Sequence, residues 1–396
     1  MANLKLSLAK DLARHLRAGH PWVFKNALAQ LPKLPAGAIV DVVDKGRFVA
    51  RGYFDPHSAI SVRVLTRDES ETVDGAFFRR RIARAAALRT SLLDLRETNA
   101  YRLVHGEADG LPGVIVDLYA GWAVLKLYSA GLTPHREAIL SAVRAAVPAL
   151  KGIVGRDESD REDQEGNAAT GKMLWGGAAP ETVGIKECGA TFQVDLYAGQ
   201  KTGFFLDQRD NRRLVRDLSK DREVLNCYAF TGGFSVNAAI GGAKQVTSID
   251  IDADAVALCR RNFKENGLPA EAHDFLAADV PDSLKSFADQ GRSFDLVILD
   301  PPAFAKSQQA VEAAIGGYTA LNRVALSVLK EGGILCTSSC TARVSSEMFL
   351  EAVKEAAFKA EVDLQLVHQR FQPPDHPVLL QFQQGRYLKF FVLRRM

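Results

Sequence analysis

The stretch from Val224 to Asp252, VLNCYAFTGGFSVNAAIGGAKQVTSIDID, constrains the fold more than any other. Val224 and Leu225 begin an apolar run that enters a turn at Thr231-Gly232-Gly233. A helix of small residues follows, from Phe234 to about Ile240, and a second apolar run with Val246 and Ile249 ends on Asp250. Strand, tight turn, helix, strand and acid in this order predict a βαβ unit that binds a nucleoside. Glycine lets the backbone approach a ligand where a Cβ would collide. The acid falls where a ribose diol would lie, and a carboxylate can accept from both hydroxyls.

A nicotinamide dinucleotide site needs G-x-G-x-x-G directly after the strand. Only Gly232-Gly233 is present, with no third glycine at that spacing. Such a turn suits a ligand without a pyrophosphate, of which S-adenosylmethionine is one. Taken alone, the stretch fits equally an α/β domain whose Gly-Gly merely turns the chain.

With 396 residues the chain is long enough for two or three domains. No apolar run approaches the length of a membrane span, and the N-terminus lacks the apolar core of a secretion signal. The five cysteines, Cys188, Cys227, Cys259, Cys336 and Cys340, form no Cys-x-x-Cys pair. This pattern points to a reducing cytoplasm and away from a metal site. A net charge of +3 permits nucleic acid without demanding it.

Residues 1–75 read as short strands and one helix, a small β-barrel. Ile60–Leu65 alternates as a half-buried strand would. Residues 76–97 form a basic helix with Arg79, Arg80, Arg81, Arg84 and Arg89, its apolar positions supplied by Ile82, Ala86, Leu88 and Leu92. Residues 101–185 read β-β-β-α-β, followed by an acidic loop from Asp157 to Gly166. The boundaries expected are 1–75, 76–188 and 189–396.

A second apolar strand, Phe294–Leu299, ends on Asp300-Pro301-Pro302 about fifty residues after Asp250. An acid there stands at the carboxyl edge of a parallel sheet, where open α/β folds bind ligands. Cys336 falls inside the next apolar run and reads as core, while Cys340 falls just past it, at the same edge as Asp300. Most cysteines are small buried hydrophobes. At this edge a thiol becomes a candidate nucleophile. C5 of cytosine is a poor nucleophile until a thiolate adds to C6. Methylation of an exocyclic amine needs no thiol, but it needs Asp/Asn-Pro-Pro followed at once by an aromatic ring. Here Ala303 separates Pro302 from Phe304.

These residues, with Gly19–Phe24 (GHPWVF), His105–Asp117, Gln200–Arg212 (QKTGFFLDQRDNR), Asn226–Ser235, Ser339-Cys340 and Asp375-His376-Pro377, carry a resemblance over essentially the whole chain. The sequence resembles the PUA-containing 23S rRNA cytosine-5 methyltransferases of the large-subunit methyltransferase I family. The resemblance implies an α/β protein: a PUA barrel, a central α/β domain and a Rossmann-like domain with a seven-stranded, mostly parallel sheet. It implies S-adenosylmethionine as methyl donor and 23S ribosomal RNA as partner. It leaves a homodimer open and involves no membrane. Phe230, Thr231 and Gly232 match the cradle of the amino-acid tail, Asp250 the ribose acid, and Asp279, with Asp274 as alternative, the adenine acid. Lys201, Phe204, Asp207, Gln208 and Arg212 match the segment that closes over the cofactor. Cys340 matches the nucleophile, and Asp300 serves both cofactor and catalysis. Asp300 and His376 are the candidates for the base that removes the C5 proton. The alternatives are methylation of a guanine or adenine amine, and a non-catalytic assembly factor that binds RNA.

Overall fold

In a computed structural model the protein is described for residues 3–156, 171–305 and 308–396; the acidic loop from Asp157 to Gly166 lies outside them. The chain forms two compact units. One holds Met1–Ile185, Val194–Leu206 and Pro374–Gly385; the other holds Lys186–Gln193, Asp207–Pro373 and Arg386–Met396.

In the first unit, β1 (Leu4–Ser7), α1 (Ala13–Ala18), β2 (Trp22–Phe24), β3 (Ile39–Asp44), β4 (Arg47–Phe54) and β5 (Ile60–Thr66) build the expected small β domain. Its sheet has the order β1-β3-β4-β5-β2 and closes over Leu16, Val23, Val40, Val42, Val62 and Val64. β5 departs from the half-buried reading, for it is buried on both faces. Its polar residues are taken up internally: Arg63 donates to the Ser129 hydroxyl at 2.9 Å and pairs with Asp55 at 3.8 Å.

The chain continues with α2 (Gly75–Leu92), β6 (Ala100–His105), β7 (Val114–Tyr119), β8 (Trp122–Leu127), α3 (Arg136–Ala146), β9 (Gly152–Gly155) and β10 (Lys172–Gly176). They give a sheet in the order β10-β9-β8-β7-β6. β10 was not expected; it pairs antiparallel to β9. The two sheets of this unit centre on two apolar clusters, the second of which also takes Tyr53 and Leu65 from the first sheet. On that ground we keep the three-domain division at 75 and 188 as a proposal.

Helix α2 starts where Asp74 accepts from the Phe77 N–H at 2.8 Å, an N-cap that satisfies one orphan donor. Its buried stripe is Phe78, Ile82, Ala85 and Arg89, at helical spacing. Leu88 and Leu92, expected on the apolar face, are exposed. Arg89, expected on the basic face, is fully buried. Its Nη1 and Nη2 donate to Asp109 at 2.6 and 2.8 Å, its Nε to the Arg102 carbonyl at 2.9 Å, and Nη2 also to the Asp375 carbonyl at 2.8 Å. A guanidinium with this many fixed acceptors can occupy a core position that an aliphatic chain would otherwise fill. Asp375 in turn accepts from the Arg102 N–H at 2.9 Å, so the late segment Pro374–Gly385 is tied into the first unit. Phe382 adds an edge contact to Trp22, ring centres 4.5 Å apart.

The hairpin β11 (Val183–Glu187) and β12 (Ala190–Val194) lies where the chain passes between units. The second unit then runs α4 (Arg209–Leu218), β13 (Glu223–Cys227), α5 (Gly233–Ile240), β14 (Gln245–Asp250), α6 (Ala253–Glu265), β15 (Asp274–Ala277) and α7 (Val280–Asp289). It ends with β16 (Phe294–Leu299), α8 (Val311–Ser327), β17 (Leu329–Ser339), α9 (Ser346–Lys359), β18 (Leu364–Arg370) and β19 (Lys389–Arg395). The seven strands order as β15-β14-β13-β16-β17-β19-β18. The first five are parallel; β19 and β18 add antiparallel pairs. This is the seven-stranded, mostly parallel sheet expected. Its central strands β13, β14 and β16 are buried along nearly their whole length because helices cover both faces. Leu225, Ile249, Val297, Leu299, Leu335, Phe349 and Phe391 share one core.

Arg89→Met should leave the Asp109 carboxylate buried without its cation. The expected loss is about 3–5 kcal/mol, read as a lower urea midpoint by circular dichroism. An unchanged midpoint would show the pair to be idle.

Candidate active site

Register places the functional residues. Cys227 of β13 pairs with Ile249 of β14 on one side and Leu299 of β16 on the other, and Leu299 pairs with Thr337 of β17. The four strands therefore run out level, and the next residues along them are Tyr228, Asp250, Asp300 and Ser338. The strand order reverses between β13 and β16. That reversal opens a crevice at the carboxyl edge of the sheet, where α/β folds hold ligands.

The turn after β13 is built from unusual backbone. Tyr228, Phe230 and Gly232 have φ of 59°, 48° and 84°. Two non-glycine residues in the left-handed region store strain that surrounding contacts must hold. Asp250 supplies one such contact, its Oδ2 accepting the Phe230 N–H at 2.7 Å. Its Oδ1 accepts from the Asp252 N–H at 3.1 Å. At Gly232 a Cβ would lie 2.3 Å from Cys259 Sγ. No side chain fits there, so the backbone stays open above α5. Thr231 is buried, its Oγ1 without a hydrogen-bond partner among the described residues. Below the turn, Ser235 accepts from Asn226 and from Ser248, each at 2.8 Å.

Asp279 follows β15 and caps α7, accepting from the Asp282 N–H at 3.1 Å. Asp279 and Asp250 both act on Tyr228, whose phenol is pushed up chiefly by burial, then by Cys227 and these two carboxylates. Asp274 instead opens β15, at the opposite end of the strand, where it pairs with Arg292 at 2.9 Å. The geometry thus brings Asp279, and not Asp274, to the edge that carries Asp250.

Asp300 is half-buried, and two neutral side chains donate to it. Its Oδ1 accepts from Gln208 Nε2 at 2.9 Å and from the Ser338 hydroxyl. Asn211 donates to Gln208 Oε1 at 2.6 Å and fixes that amide. Asp207 accepts from the Tyr387 hydroxyl at 2.7 Å. Arg212 makes a buried two-pronged pair with Glu187, at 2.7 and 2.6 Å. Lys201 and Phe204 belong to the first unit. There Lys201 lies over the Phe205 ring at 4.5 Å, and Phe204 is buried.

Cys336 is fully buried in β17, and burial pushes its thiol up. Cys340 stands just beyond the strand and is half-buried. Its neighbour Ser339 donates to the Tyr318 hydroxyl of α8 at 2.9 Å. Phe304 stacks on Tyr318 at 4.6 Å and packs against the domain core. His376 belongs to the first unit, buried with its ring 5.1 Å from that of His105.

Sequence reasoning missed Ser338, Tyr228 and the pair Asn262 and Asn266. The last two stitch α6 to β12: Asn262 accepts from Gln193 N–H and Asn266 from Thr191 N–H, each at 2.8 Å. Asn262 also donates to the Thr231 carbonyl at 2.8 Å, bracing the ligand turn from behind. Strand alternation along β17 could have flagged Ser338. No local signal marks the asparagines.

The parallel sheet, glycine turn and strand-end acids define a nucleoside-binding α/β enzyme domain of the Rossmann-like class. Known proteins agree. Residues 102–390 match a family of S-adenosylmethionine-dependent methyltransferases, and residues 6–67 match a PUA-like domain. Ribosomal RNA large subunit methyltransferase I of Escherichia coli O139:H28 is 38% identical over 396 residues, covering 100% of both chains. The corresponding Enterobacter protein is equally similar. Among solved structures, a protein from Streptococcus mutans described as a SAM-dependent methyltransferase superposes with a TM-score of 0.87 at 25% identity, covering 99% of this chain and 100% of its own. A methyltransferase solved in complex with SAH gives the same score and identity. The chain belongs to the S-adenosylmethionine-dependent methyltransferases, in the family of ribosomal RNA large subunit methyltransferase I. Its methyl donor is S-adenosylmethionine. The residues present fit that group: a glycine cradle with no room for a side chain, an orphaned Thr231 hydroxyl and a strand-end carboxylate. Among the described residues, no helix is long and apolar enough to cross a membrane.

Gly232→Ala should abolish S-adenosylmethionine binding in calorimetry while leaving the far-ultraviolet spectrum native. The left-handed φ alone costs about 1–2 kcal/mol, and the added methyl collides with Cys259. Tight binding by this variant would show that the turn is not the cofactor cradle.

Proposed function

We propose that the protein methylates C5 of a cytosine in 23S ribosomal RNA through a covalent bond between Cys340 Sγ and C6. The supporting observation is the level edge of the sheet. It sets a half-buried thiol just past β17, two residues from the serine that donates to Asp300. Relatives alike over the full length are named as large-subunit ribosomal RNA methyltransferases.

On this reading Phe230, Thr231, Gly232 and Asp250 hold the cofactor, with Asp279 at the adenine. When bound, the cofactor supplies a methyl group on a sulfonium, electrophilic toward an electron-rich carbon. The Cys340 thiolate adds to C6, and the electron pair moves onto C5. Asp300, aimed by Gln208 and Ser338 and carrying its proton, donates to N3 and stabilises the negative charge that builds on the ring; it is left as a carboxylate, and a preorganised donor there is worth most. After transfer the C5 proton leaves to a base, for which Asp300 is the better placed candidate. His376 is buried with His105 in the first unit. Loss of that proton re-forms the C5–C6 double bond and expels the Cys340 thiolate.

The Phe304 stack weighs against amine methylation, because a ring committed to Tyr318 is not a platform for a base. The orphaned Thr231 hydroxyl and the glycine cradle weigh against a purely binding role. The reading carries the cytoplasm as place of action. The described residues lend no support to a homodimer.

RNA carrying 5-fluorocytosine at the target should form a denaturation-stable adduct that peptide mapping places on Cys340. A Cys340→Ala variant should form none and lose methylation by at least 10³-fold, an order of magnitude set by the loss of the nucleophile. Full activity in that variant would sink the covalent route.

Arg79 and Arg84 are exposed, whereas Arg80 and Arg81 pair with Glu71. Changing Arg79 and Arg84 to Gln should flatten the salt slope of RNA binding by up to about 0.7–0.9 per lost phosphate contact. An unchanged slope in filter binding would remove α2 from the RNA path.

A further inference from the structure

Lys389 opens β19 in register with Ser339 of β17, beside the exit that carries Cys340. Its side chain is 1% exposed. The ammonium donates to the Thr341 carbonyl at 2.7 Å and to the Tyr387 carbonyl at 2.8 Å. Those two carbonyls come from either side of the strand exit, so the charge is pinned there. An ammonium has three N–H donors; two are engaged. Among the described residues no carboxylate lies within ion-pair distance of it. A buried cation without a counter-ion is expensive. Lysine is also the long flexible side chain least suited to such a place, unless an anion forms beside it.

One group beside it can become an anion within the catalytic cycle proposed above, the thiol of Cys340. We propose that Lys389 is the positioning cation of the active edge, holding Cys340 as a thiolate ready to add to C6. The step is a simple ionisation: the thiol proton leaves to solvent, and the ammonium keeps its three protons. The inference rests on the reading of Cys340 as nucleophile, and it explains how a thiol in a partly buried place is ionised near neutral pH.

The electrostatics agree. Burial lowers the Lys389 ammonium to about 8, and the Cys340 thiolate opposes that lowering. At pH 7 the amine therefore still carries its charge. Tyr318 of α8 is a further titratable group that faces Cys340; its phenol is raised first by burial and also by the Cys340 charge. It stays protonated. Asp300 is reached through the hydroxyl of Ser338, two residues before Cys340. An adjacent ammonium is a known way to lower a thiol's pKa.

The test is the pH dependence of Cys340 alkylation by iodoacetamide in the full chain, quantified by peptide mapping, without RNA. In the native protein the midpoint should fall below the ordinary thiol value of about 8.5. Lys389→Met should raise it by a unit or more, and Lys389→Arg should keep it near native. Methylation by Lys389→Met at pH 7 should drop about tenfold, the loss in thiolate fraction for one unit, and recover as pH rises. A merely structural lysine would slow methylation equally at every pH. The proposal falls if the native midpoint lies at or above the ordinary value. It also falls if Lys389→Met binds S-adenosylmethionine normally with an unmoved midpoint. Should Lys389→Met fail to fold, the native midpoint decides alone. A shifted midpoint without a 5-fluorocytosine adduct would overturn the methylation chemistry and leave this ion pair standing. The reverse result would overturn the ion pair alone.

Discussion

The hydrogen-bond register across β14, β13, β16 and β17 is the constraint on which the site depends. A parallel ladder ties each strand's end to its neighbour's, so one register sets the height of four functional positions together. A slip of one residue would turn every side chain of a strand to the other face. It would bury Asp250 or Asp300 among helices and lift an apolar residue into the crevice. The register is locked because β13 and β16 are buried along nearly their whole length and covered on both faces. The site's precision thus comes from residues such as Leu225, Ile298 and Leu299, which touch no ligand.

Much of this was legible where chemistry and local pattern coincide. Val224–Asp250 and Phe294–Asp300 announce strand, turn and acid within a few residues, and the fold keeps them so. The reading failed where partners lie far along the chain. β15 is a short strand with no fully buried residue, and nothing local announces it. It exists because it completes the parallel ladder beside β14. Arg89 was grouped with exposed arginines because its composition is that of a solvated face. Its partners Asp109 and Asp375 lie 20 and 286 residues away, beyond any window of pattern reading. Asp274 and Asp279 could not be separated by spacing alone, yet they sit at opposite ends of one strand and connection.

Polar groups inside both units serve placement more than stability. Arg102 holds Asp117 at 2.8 and 2.9 Å, and Thr202 donates to the same carboxylate at 2.6 Å. This anchors the loop that carries Lys201 within the first unit. Asn262 and Asn266 do the same for β12 in the second. Apolar replacements of such groups are often neutral or stabilising when volumes match. What they lack is direction: a hydrogen bond fixes which carbonyl faces which amide, and a loop docked by apolar contact alone can slide. In a protein whose ligand turn is strained at Tyr228 and Phe230, that directionality keeps the turn from relaxing.

The charges at the active edge follow the same logic. Arg212 lies one helical turn beyond Gln208, the residue whose amide donates to Asp300. Glu187 takes that guanidinium in a two-pronged pair. Two of the donors that Asp300 receives are neutral, an amide and a hydroxyl. A guanidinium would fix the carboxylate and also cancel its field. Neutral donors fix its direction toward whatever base lies opposite. On the other side of the edge, the thiolate proposed for Cys340 draws on a cation buried on β19, in register with the strand exit that carries the thiol.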